Sequence, residues 1–245
     1  MAQLMLSCAR YVEALGQEGA LFSEVSRHAP LAAVTTCPGW NMQDLVGHLA
    51  GVYRFWTLQL LAGDATAQTT VPTPLEHDDV NTEFDQIETE LMRNLEIIPE
   101  GAPCWNWSDG DYTSNWVARR MALETAIHRI DAQFANGTFT PIDLDLSLDG
   151  VDERLDVHLR LDLRENPTDS LGGTICLICS DSDSAWTISA ERGRLRVRDG
   201  RGPASVALVG TASDLFQFVW NRADLSRFQV TGERSVALNW SHLPS

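Results

Sequence analysis

No stretch of this 245-residue chain approaches the roughly 18 consecutive apolar residues that a membrane-spanning helix needs. Residues Met1 to Arg10 also lack a basic region followed by a sustained apolar run, so a soluble, cytoplasmic protein is expected. Basic residues are scarce: 18 Lys and Arg stand against 34 Asp and Glu, for a net charge of −16. That balance argues against nucleic acid and anionic membranes as partners, because both need cations to meet their phosphates. Cysteine is sparse as well. Five thiols, at positions 8, 37, 104, 176 and 179, do not make a secreted disulfide framework in a chain of this length, and reduced cysteines are expected.

What is present has the texture of two domains, 1–140 and 141–245, together of the α+β class. Residues 4–26 carry Leu4, Cys8, Tyr11, Val12, Leu15, Phe22 and Val25 at helical spacing, with Gly16 and Gly19 weakening the middle. Cys37-Pro38-Gly39-Trp40 reads as a turn before a marked helix start, with Asn41 as N-cap, Asp44 completing a capping box, and Trp40 and Leu45 placed as a hydrophobic staple. A third helix carries Val80, Phe84, Ile87, Leu91, Leu95 and Ile98 and ends at Pro99 and Gly101. The fourth ends at Asn136-Gly137. Four helices of this kind predict a four-helix bundle, an architecture that builds metal sites from facing inner helices.

The fourth helix holds the stretch with most chemistry. Glu124 and His128 lie one turn apart on one face, beside the apolar stripe Trp116, Leu123, Ile127, Ile130 and Phe134. Burying a carboxylate and an imidazole at a core edge is costly unless they are paired or bind a metal. His48, on the shoulder of the second helix's stripe, is the candidate third ligand. Arg120, one turn before Glu124, can pair with that carboxylate or receive a substrate anion, and Asp131 can orient an imidazole or sit solvated at the helix end. His77-Asp78-Asp79 reads as a solvated turn, Cys37 as a packing residue of its turn, and Cys176-Leu177-Ile178-Cys179 as core cysteines, since i and i+3 in a strand face opposite ways.

Beyond residue 140, the run 148–163 fits both a strand and a helix. Short β-prone runs at 174–180, 185–190, 194–198 and 204–209 predict an antiparallel sheet. A helix capped by Ser213 over 214–221 follows, then strands near 227–231 and 235–240.

The order and spacing of Cys37-Pro38-Gly39-Trp40, Asp44, His48, Trp116, Arg119-Arg120-Met121, Glu124, His128-Arg129 and Asp131 resemble the mycothiol-dependent maleylpyruvate isomerase family, a branch of the DinB-like metalloenzymes. The resemblance extends through Asp149-Gly150-Val151-Asp152-Glu153, Leu215 to Arg222 and Thr231-Gly232. It implies a DinB-like bundle holding Zn2+, or another divalent metal, on His48, Glu124 and His128. It also implies a sterol-carrier-like α+β domain that closes over the site and contributes Arg222, cofactor contacts from Trp116 and Arg222, and a helical 148–163. It further implies an actinobacterial enzyme, monomeric or homodimeric, that uses mycothiol as co-substrate against a small electrophile. Two histidines and a glutamate leave one tetrahedral position open, as catalytic zinc sites do. A thiol ionised there attacks an electrophilic carbon; the adduct collapses after a bond rotation in an isomerase and persists in an S-transferase. Two other classes stay open: a thiol-independent metalloenzyme of specialised metabolism, and a small-molecule binding protein. The chain departs from the family pattern at Asn221, where glycine is common, and at Leu123, where histidine is common.

Overall fold

The computed structural model describes residues 5–72, 80–108, 110–165 and 171–242, so the His77-Asp78-Asp79 cluster lies outside the described residues. Contacts divide the chain into two units, Leu6–Thr140 and one containing Pro141–Ser245. Among the described residues no helix is long and apolar enough to cross a membrane.

The first unit is built on four long helices: α1 (Cys8–Ser26), α2 (Met42–Ala62), α3 (Val80–Ile97) and α4 (Ser114–Ala135). Helix α1 packs chiefly on α4, and α2 on α3. Tyr11, Leu15 and Phe22 of α1 and Leu45, Leu49 and Tyr53 of α2 are buried in the core, at separations of four and seven residues that keep one side of a helix facing inward. The start of α2 forms as its sequence dictates. Asn41 Oδ1 accepts from the Gln43 and Asp44 amides at 2.8 and 3.1 Å, and Asp44 Oδ2 accepts from the Asn41 amide at 2.9 Å. At the end of α4, Gly137 takes φ +67°, the left-handed turn that its lack of a Cβ permits.

The glycines of α1 do more than weaken it. A Cβ on Gly19 would collide with the Glu88 carboxylate, and one on Gly16 would meet Met92, so both let α3 approach closely. Glu88 is thereby drawn into the bundle, where its Oε1 has no hydrogen-bond partner. Burial, with Asp85 adding to it, pushes its carboxyl up to about 7. Burial and the nearby Glu88 also hold the Tyr53 phenol well above its ordinary value. The unfolded chain releases the Glu88 proton near pH 4.5 and the folded protein near 7. Between those values the folded state binds more protons, and its stability falls as pH rises. Glu88→Gln stays neutral throughout. Its stability advantage over the parent should grow by about 1–3 kcal/mol from about pH 5 to about pH 8, discounted for partial exposure, in denaturant melts. Parallel pH curves for the two proteins would contradict this.

In the second unit, α5 (Leu144–Glu153), a π-helical turn (Arg154–His158) and α6 (Leu159–Glu165) make one run, so 148–163 is helical. Burial of Val151, Leu155, Leu159 and Leu163 at every fourth position overrides the strand-like alternation. Strands β1 (Ile175–Cys179), β2 (Ala185–Glu191), β3 (Arg194–Asp199), β4 (Val206–Gly210) and β5 (Gln229–Gly232) form one sheet in the order β3-β2-β1-β4-β5. The expected antiparallel sheet is corrected at one pair, because β4 runs parallel to β1, with Val206 opposite Ile175. The link 200–205 passes Thr187 of β2, close to Gly202, and returns the chain to the end where β1 begins. Helix α7 (Ala212–Val219) is capped by Thr211, whose Oγ1 accepts from the Asp214 amide at 3.1 Å, and not by Ser213. The expected strand at 235–240 is a helix, α8 (Arg234–Trp240), because Val236, Ala237 and Trp240 share one buried helical face.

Candidate metal centre

Three of the expected ligands converge inside the bundle. Helix α2 presents His48 and α4 presents Glu124 and His128, with their ligating atoms all within 4.8 Å of one another. Both imidazoles address the same oxygen: Glu124 Oε1 lies 3.5 Å from His48 Nε2 and 3.2 Å from His128 Nε2. Ligands about 2.0–2.1 Å from one tetrahedral ion sit about 3.4 Å apart, so these separations suit a single divalent cation. Two imidazole nitrogens with one carboxylate form a donor set that zinc accepts. The side chains are 35%, 18% and 9% exposed for His48, Glu124 and His128 respectively, so the cluster opens on the His48 side.

Each inner ligand is held from behind. Arg120, buried on α4, donates to Glu124 Oε2 and leaves Oε1 for the histidines. Arg120 thus makes the expected pairing with the Glu124 carboxylate. Burial opposes the charge on Glu124, but Arg120 and then hydrogen bonds from His128 and His48 outweigh it, holding the carboxyl well below its usual range. His128 Nδ1 lies 3.0 Å from Asp131 Oδ2, which is fully buried. A proton kept on Nδ1 by that carboxylate leaves the Nε2 lone pair directed at the cluster. Burial disfavours the His128 imidazolium, yet bonds to Asp131, Cys37 and Glu124 raise its affinity for a proton well above the ordinary value. A bound cation would displace that proton.

Cys37 is more than a packing residue of its turn. Its thiol donates to Asp131 Oδ2 at 3.6 Å, across 94 residues of sequence, and so braces the carboxylate that orients His128. Among the described residues, Cys37, His128 and Asp131 form a second group of potential ligands sharing His128 with the first. No local pattern announces this contact.

A cleft of about 800 Å3 opens beside His48, walled by Trp40, Phe55, Trp56, Trp105 and Trp107. Trp40 lies against the His48 ring with centroids 4.9 Å apart. Trp116 does not line the cleft. It is buried beneath Trp56 and Trp107, at 5.0 and 5.1 Å, and braces them. The aromatic connection Trp105-Asn106-Trp107, between α3 and α4, supplies two of the walls.

Arg222 belongs to the second unit, just beyond α7. Its amide donates to the Gln217 carbonyl and its Nη1 to the Trp220 carbonyl, each at 2.7 Å. Asn221 before it has φ +60°, a left-handed conformation that glycine takes freely and asparagine tolerates, which explains why asparagine can stand there. Cys176 and Cys179 are buried and free, on opposite faces of β1, and burial pushes the Cys179 thiol up.

Residues 12–133 match the family model described as the mycothiol maleylpyruvate isomerase N-terminal domain. Two crystal structures of the mycothiol-dependent maleylpyruvate isomerase, one a histidine-to-alanine mutant, share the fold at 11% identity over 93% of this chain and 95% of theirs. The TM-scores are 0.66 for the mutant and 0.65 for the other. No curated protein matches the chain.

Proposed function

The chain belongs, through its helical unit, to the mycothiol maleylpyruvate isomerase N-terminal domain family, and on that premise we propose that it is a divalent-metal enzyme adding mycothiol to an electrophilic small molecule, as S-transferase or cis–trans isomerase. The observation that carries this reading is the convergence of His48 Nε2, His128 Nε2 and Glu124 Oε1 on one spot at the edge of an open cleft. His48, Glu124 and His128 would hold the zinc, which would supply Lewis acidity to lower the pKa of a bound thiol. The protein's own groups set up that position. Arg120 keeps Glu124 ionised and turned toward the histidines, and Asp131 with Cys37 fixes the His128 ring. The aromatic walls line the approach to His48. Arg120 is thus a positioning residue, and Trp116 supports the walls that a bound molecule touches.

Calorimetric titration with mycothiol tests this reading. The zinc-loaded protein should bind the thiol at least about tenfold more tightly than the metal-free protein, because the metal's vacant position is the docking point. Equal binding by both forms would remove the thiol from the metal and leave a thiol-independent Lewis-acid enzyme.

A further inference from the structure

The walls of the cleft say more about the second substrate than the metal ligands do. Among its described lining residues there is no Lys or Arg, and the polar ones besides His48 are Gln43, Asp44 and Gln68. Asp44 is the only acid there, and its Oδ2 is engaged by the Asn41 amide in the capping box. A carboxylate-bearing substrate entering this space would lose its hydration beside Asp44, with no side-chain cation among the described lining residues to replace it. Trp40, Phe55, Trp56, Trp105 and Trp107 supply five aromatic rings to the remaining lining. Phe55 and Trp105 meet edge to face at 6.4 Å, and Trp107 stands at 90° on the buried Trp116, so the walls are fixed by packing. Such an array presents π faces and ring edges to an incoming ring.

The floor is bare backbone. Gly47 and Gly51, one turn apart on α2 and flanking His48, line the cleft, and a Cβ at either would meet nothing within 4 Å. Larger residues would stand in the space. The volume of about 800 Å3 falls within the range of small-molecule sites.

We propose that this cleft takes an uncharged planar aromatic electrophile, laid over Gly47 and Gly51 between the tryptophans with its reactive carbon toward His48. The assignment rests on the metal-centred reading above for the word electrophile, but its binding test needs no thiol. The probes are benzylideneacetone, a neutral aromatic enone, and its ring 4-carboxylate, titrated into zinc-loaded full-length protein and followed by tryptophan fluorescence. The neutral probe should bind at least about tenfold more tightly than the carboxylate. Gly51→Leu and Gly47→Leu should each weaken the neutral probe by about tenfold or more, by filling the cleft. Neither should lower the melting temperature, since leucine is the better helix former, and zinc content reports the integrity of the centre. Equal or tighter binding of the carboxylate would overturn the proposal, as would unchanged affinity in both leucine variants. If the enone binds as expected while mycothiol does not, the cleft assignment stands and the thiol reading falls; the reverse pattern removes only the cleft assignment.

Discussion

The parent is expected to carry roughly one divalent ion per chain, and His48→Ala, Glu124→Ala and His128→Ala should each lose it, because three protein ligands with one open position leave little affinity once any is removed. Elemental analysis of protein purified without chelators measures this. The geometry ranks the three. Glu124 Oε1 is the atom both imidazoles address, and it is held ionised by Arg120, so its loss removes a charge as well as a ligand. His48, the most exposed of the three, has its ring against Trp40, and its substitution should disturb the fold least. Full metal content in all three variants would show that the site is elsewhere. Loss confined to variants of the His77-Asp78-Asp79 cluster would place it there.

A second large effect is expected at Arg129, next to the candidate ligand His128 but bonded to Glu18, Gln133 and Thr140 instead of the cluster. It is fully buried, donates to Glu18 Oε2 at 2.6 Å and to Gln133 Oε1 and the Thr140 carbonyl at 2.8 and 2.6 Å, and so ties α1 to α4 and to the exit from α4. Arg129→Met keeps most of the volume but leaves Glu18 buried without its partner. Removing one member of such a pair costs about 3–5 kcal/mol. For a unit of this size that lowers the melting temperature by about 10–18 °C. The double variant Glu18→Leu with Arg129→Met should recover a large part of the loss, since it leaves no uncompensated charge. A single variant as stable as the parent would show that the pair contributes little, and an unrecovered double variant would point to the packing of Arg129 instead.

Much of this was legible in the residues themselves. Glu124 and His128 share a face because four residues make about one helical turn, and the Asn41 and Asp44 capping box fixed where α2 begins and hence which way His48 points. These are short-range facts. What the residues left hidden depends on contacts between distant segments. The bond from Cys37 to Asp131 joins a turn to the far end of α4, and the pairing of Arg129 with Glu18 spans 111 residues. The glycines of α1 looked like weak points of a helix and are the places where α3 comes close. In the second unit, the last run misled because Val236, Ala237, Leu238 and Trp240 have strand-like composition, while their burial follows a helical period. The parallel placement of β4 depends on a crossing by the 200–205 link that no local signal encodes.

We propose that a thiol docks on a metal held by His48, Glu124 and His128. X-ray absorption at the zinc edge, recorded on the loaded protein with and without mycothiol, tests it most directly. Without the thiol, only nitrogen and oxygen neighbours at about 2.0–2.1 Å are expected; on adding mycothiol, one sulfur at about 2.3 Å should join them. An edge and first shell unchanged by saturating mycothiol would contradict the claim.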